Sequence, residues 1–98
     1  MSETLELVRF TVDPQRREDF FALRPAAIRA LRESFGGLLE ARLAEHDDGS
    51  FTDVVRWSSR EEAERAAAGC MDVPATKAWI ETIGSVDEMS HALVRDVA

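Results

Sequence analysis

Between Asp53 and Arg65 a strand-like run ends on Trp57 and passes, with almost no loop, into a capped helix. Ser59 is placed to accept from the backbone N–H of Glu62. The Glu62 carboxylate can reach back to the N–H of Ser59, the reciprocal arrangement of a capping box. This junction anchors a strand-helix-strand-strand-helix-strand order for the whole chain. Upstream, Leu5 to Val12 alternates as a strand, with Val8, Phe10 and Val12 on one face and Leu5, Leu7 and Arg9 on the other. Asp13 and Pro14 then start a helix, one as cap and one at the first helical position. That helix is expected to reach Phe35 and stop at Gly36 and Gly37. At ~100° per residue, Phe20, Phe21, Leu23, Ala27, Ile28, Leu31 and Phe35 make one apolar stripe along it.

Leu38 to Glu45 and Phe51 to Trp57 read as the second and third strands. They are joined by His46 to Ser50, with Gly49 supplying positive φ. The second helix spans Ser59 to Gly69. A further helical segment runs from Pro74 to Ile83, carries Trp79 and is stopped by Gly84. The last strand falls within Val86 to Val97, centred on Met89 to Val94. The order is the α+β, ferredoxin-like βαββαβ plan, a four-stranded antiparallel sheet with helices on one face. Leu5 and Leu7 leave apolar side chains on the face that two helices cannot cover, and Leu38, Leu39 and Leu43 spread over both faces of the second strand. A homodimer packed sheet against sheet, a dimeric α+β barrel, is the expected remedy.

The 98 residues suffice for a single domain, residues 1–98, with 45% hydrophobic and 32% charged side chains. A net charge of −7 repels phosphate backbones and anionic lipid, so neither nucleic acid nor a membrane is an expected partner. Arg9, Arg24, Arg29 and Arg42 interrupt every candidate apolar span, and the N-terminus has no signal-peptide pattern. The single cysteine, Cys70, forbids an internal disulfide and suits a cytoplasmic setting. It is expected to pack as a small apolar side chain.

Four segments carry a resemblance to a known family. They are the first strand followed by Asp13 and Pro14, the Phe35-Gly36-Gly37-Leu38-Leu39 approach to the second strand, the junction Val55-Arg56-Trp57-Ser58-Ser59-Arg60-Glu61-Glu62-Ala63, and the helical Ala75-Thr76-Lys77-Ala78-Trp79. In these the chain resembles the antibiotic-biosynthesis-monooxygenase-like family of dimeric α+β barrels, over nearly its whole length. The resemblance implies a homodimer with a pocket between helices and sheet. It also implies a small aromatic or polyketide-type ligand and cofactor-independent monooxygenation, with no cofactor or metal. The departures matter. The chain has no asparagine and no tyrosine, and Val8 and Arg9 stand where the family's haem-degrading and quinol-oxidising members carry a first-strand asparagine. Ala66, Ala67 and Ala68 replace a helix tryptophan, and no histidine lies between His46 and His91. These differences argue against haem degradation. Fold alone does not carry function.

Arg24 and His91 are the candidate catalytic residues. Arg24 lies within the apolar stripe beside Pro25, which removes a helical hydrogen bond, and from a pocket wall it can anchor an anion. Its structural alternative is snorkelling or pairing with a carboxylate on the sheet. His91 alternates with Met89 and Leu93 and can serve as a base toward an aromatic hydroxyl, or as a satisfied structural histidine. His46 reads as solvated. Trp57, Trp79, Arg9 and Asp53 are candidate ligand-binding residues. Trp57 doubles as the packing element of the junction and Trp79 as core or pocket lid, whereas Arg9 and Asp53 can form an interior ion pair. No metal-ligand spacing recurs. Two other readings remain open: a non-catalytic ligand-binding or stress-associated protein, and a purely structural assembly subunit with a filled interior.

Overall fold

The computed structural model of the chain describes residues 2–98. The strands are β1 (Thr4–Val12), β2 (Leu38–Glu45), β3 (Phe51–Trp57) and β4 (Ile83–Leu93), and the helices α1 (Arg17–Ser34), α2 (Arg60–Gly69) and α3 (Pro74–Ile80). The sheet runs β2-β3-β1-β4 with every neighbouring pair antiparallel, which is the ferredoxin-like α+β plan expected. The His46 to Ser50 loop closes on a backbone bond from the His46 N–H to the Ser50 carbonyl, and Gly49 has φ +86°.

Strand alternation decides what the helices bury. Phe10 and Phe51 lie on the covered face and join Phe20, Ala27 and Trp79 in one core cluster. Ring centroids in that group lie 5.0–6.4 Å apart, within the range where aromatic pairs attract beyond area alone. A second cluster gathers Leu38, Val55, Trp57, Ala63 and Ala66 under α2. The Thr76 hydroxyl donates to the Ala27 carbonyl at 2.9 Å and ties α3 to α1.

Several local expectations are corrected. The residues after Asp13 form a 3-10 turn, Pro14–Arg16, before α1 begins; Asp13 still caps it, accepting from the Gln15 N–H at 2.9 Å. Ser59 accepts from the Glu62 N–H at 3.2 Å, but the Glu62 carboxylate pairs with Arg65 rather than reaching back. α3 ends at Ile80, where the Thr82 hydroxyl takes up the Trp79 carbonyl, so Gly84 lies inside β4 and does not terminate a helix. There an added Cβ would come 3.3 Å from the Asp13 backbone nitrogen, so Gly84 marks a close approach of the chain. β4 accordingly begins and ends earlier than expected.

A bulge between Leu38 and Glu40 alters the second strand. Leu43 pairs with Asp53 and Leu38 with Trp57, so both face the helices, and Leu39 is left exposed. The uncovered face therefore keeps fewer apolar groups than expected. Leu5, Leu7 and Val54 form its half-buried centre, with Arg9, Arg42 and Arg56 around them. Phe21, expected in the apolar stripe, is 44% exposed and lies against Phe20, Phe51 and the Arg17 guanidinium. No helix among the described residues is long and apolar enough to cross a membrane.

Candidate active site

The α2 helix turns alanines toward the sheet, and their small side chains leave space between the two core clusters. A cavity of about 240 Å³ results, with Phe10, Trp57 and Trp79 as aromatic walls, Ala66 and Ala67 as its α2 side, and Met89 at the β4 edge. The polar groups in this largely apolar space come mainly from the sheet: Glu6 on β1 and Asp53 on β3, both on the covered face. Among the described residues, the indole N–H groups of Trp57 and Trp79 are buried without a hydrogen-bond partner, although both residues line the cavity. A buried donor left unpaired costs about 1–3 kcal/mol, and a ligand oxygen in the cavity would relieve it.

The two carboxylates have different partners. Asp53 receives both guanidinium nitrogens of Arg24 at 2.7 and 2.9 Å, a bidentate pair with both side chains largely buried. The same guanidinium lies 5.1 Å from the centre of the Trp79 ring. Arg24 thus takes the structural alternative, pairing with a carboxylate on the sheet, and it does not line the cavity. Glu6 has no arginine. Its Oε2 lies 3.0 Å from Nε2 of His91, the residue directly opposite it in the β1–β4 register. Burial pushes the Glu6 carboxyl above the usual glutamate range, and the negative charge of Asp53 adds to that. The His91 hydrogen bond and charge act against it. The Trp57 indole, short of hydrogen-bond geometry, does so weakly.

Arg9 does not meet Asp53. Val8 is opposite Asp53, so one residue further along β1 the Arg9 side chain emerges on the uncovered face. There it reaches Asp48 at 3.4 Å and Ser50 at 3.2 Å. His46 bonds the Thr52 hydroxyl at 2.6 Å instead of being simply solvated. Trp57 is fully buried and Trp79 nearly so; each is both core and cavity wall. Cys70 also lines the cavity, and burial raises its thiol above the ordinary range. Glu6 was missed by sequence reading. Its signal was available: a lone acid alternating between Thr4 and Val8 on the apolar face of β1.

Among solved structures, the candidate antibiotic biosynthesis monooxygenase from Bordetella bronchiseptica superposes with a TM-score of 0.78 at 20% identity, covering 100% of both chains. The fold is that of the antibiotic biosynthesis monooxygenases. SnoaB, a cofactor-independent oxygenase from Streptomyces nogalater, gives a TM-score of 0.68 at 18% identity over 100% of this chain and 96% of its own. A similar protein from Chloroflexus aurantiacus gives 0.69 at 16% identity, over 99% and 97%. No protein-family profile and no curated protein matches the sequence. At such identities the likeness to monooxygenase structures speaks for architecture, and the chemistry must be argued from this chain's own residues.

Two outcomes follow from the paired carboxylates. Arg24→Leu or Asp53→Leu alone leaves a buried charge unpaired and should cost about 3–5 kcal/mol, whereas the double variant should recover most of that loss in denaturant unfolding. Additive losses would show that the pair is not coupled. For Glu6 the folded chain holds the proton more tightly than the unfolded chain does. Its contribution to stability is therefore complete in acid and lost as pH rises through the raised value. The melting temperature of Glu6→Gln relative to the unsubstituted protein should accordingly climb as pH rises above the ordinary glutamate range of about 4. Parallel melting curves would contradict a perturbed Glu6.

Proposed function

We propose that this protein is a cofactor-independent monooxygenase-like enzyme that takes a small aromatic or polyketide-type molecule into the cavity between helices and sheet. The observation that carries this reading is Glu6, a carboxylate on the wall of a largely apolar space with aromatic sides, held from behind by His91 at 3.0 Å. Removing the proton of an aromatic hydroxyl enriches the ring in electrons, which a reaction with dioxygen requires when no metal or flavin assists. The apolar walls keep water from the resulting anion. Kinship of fold with SnoaB, a cofactor-independent oxygenase, is consistent with this chemistry.

The alternative is a ligand-binding protein without catalysis. It is favoured by Arg24, whose guanidinium is already committed to Asp53 and so is not free to hold an anionic intermediate. Hydroxynaphthoquinones, tested first for a rise in melting temperature and then in an oxygen electrode, separate the two. A thermal shift of several degrees with oxygen consumption is the expected result. A shift without consumption selects the binding role, and no shift at all argues for a structural subunit that takes up no such ligand.

Homodimerisation belongs to the same proposal. Leu5, Leu7 and Val54 lie on the sheet face that no helix covers, and a second copy packed sheet against sheet would bury them and close a barrel. Light scattering at micromolar concentration should return twice the chain mass of 10.9 kDa. A monomer would remove the barrel from the proposal.

A further inference from the structure

Glu6 and His91 are not equivalent as seen from the cavity. Glu6 lines it, whereas His91 stands behind Glu6 on the edge strand and is not among the lining residues. Among the described residues, Oε2 of Glu6 is engaged by His91 and Oε1 makes no hydrogen bond. We infer that Glu6 is the proton-exchanging group of this cavity, taking the acidic O–H of a bound aromatic molecule on Oε1, with His91 as the positioning residue that holds Oε2. This rests on the cavity being the ligand site, as proposed above. In the step the ligand O–H bond breaks, its electron pair stays on the ligand oxygen, and the proton passes to the Glu6 carboxylate. No oxidant or reductant enters.

The surroundings of Glu6 favour this assignment. From β3, Asp53 faces it but is neutralised by Arg24 of α1. Cys70, after α2, is close enough for its thiol to sense the Glu6 charge, and Trp57 brings an unpaired indole N–H. Glu6 is therefore the carboxylate on the cavity wall that no arginine neutralises. An acidic hydroxyl placed against it would share one proton with it, because two adjacent oxyanions in an apolar space repel. The orphaned indole donors supply partners for a second ligand oxygen.

The probe is para-nitrophenol, whose absorbance reports its own ionisation, with para-nitroanisole as the analogue that has no proton to give. The unsubstituted protein should bind both, and bound para-nitrophenol, its proton held by Glu6, should ionise about one pH unit or more below the free compound. Glu6→Gln should weaken para-nitrophenol about tenfold, erase most of that displacement and leave para-nitroanisole unchanged. His91→Gln, which keeps the carboxylate, should retain the displacement while shifting its midpoint. If the phenol behaves alike in the unsubstituted and Glu6→Gln proteins while para-nitroanisole binds, the cavity stands and the role of Glu6 is overturned. Loss of the displacement in His91→Gln alone would transfer the role to His91. Failure of the unsubstituted protein to bind either compound overturns the ligand site itself, and the comparison of phenol with ether needs no variant to fold.

Discussion

Two carboxylates on the inner face of one sheet impose the constraint around which this structure is organised. Asp53 and Glu6 both point from central strands into an apolar interior, where an unpaired charge costs several kcal/mol. The chain resolves them differently. Asp53 is matched by a full, always-charged partner with bidentate geometry, and the Arg24 guanidinium also covers the Trp79 ring. Glu6 is matched only by an imidazole, through a single 3.0 Å contact from His91. One carboxylate is thereby a fixed strut between α1 and β3. The other lines a cavity, where burial raises its affinity for a proton.

The cavity itself is a consequence of side-chain size. Large rings from β1, β3, α1 and α3 fill one half of the space between helices and sheet, and Trp57 anchors the other. Between them α2 offers Ala66 and Ala67, too short to reach the sheet. Close packing elsewhere means the gap persists instead of collapsing. Ala66 and Ala67, part of the stretch that in sequence marks a departure from the haem-degrading pattern, are in space what leaves the cavity open.

The architecture was legible because its determinants are local. Alternation set the strands, Asp13, Pro14 and Ser59 marked helix starts, and Gly49 marked the hairpin. What escaped depended on contacts distant in sequence. The end of α3 is set by the Thr82 hydroxyl, and the facing of Leu43 by a bulge at Leu39, neither of which has a periodic signature. The site was half legible for the same reason. Arg24 and Asp53 were both singled out, but Asp53 was assigned to Arg9, because strand neighbours were weighed without the parity that puts Val8, not Arg9, opposite Asp53. His91 was named without Glu6, since only the β1–β4 register shows that the two residues oppose each other across 85 positions of sequence.

That register also explains why Glu6 lies at the wall of the cavity with His91 behind it. β4 is an edge strand, and its covered-face residues Val86, Met89 and Leu93 remain substantially exposed because the helices end short of it. Glu6 sits one strand inward, deep enough for burial to raise its proton affinity yet next to the exposed edge strand. Had the acid been on β3, an arginine from α1 would be within range, as it is for Asp53; had it been on β4 itself, water would hold it at its ordinary acidity. The position one strand in from an uncovered edge satisfies both demands, and in this sheet that strand is β1.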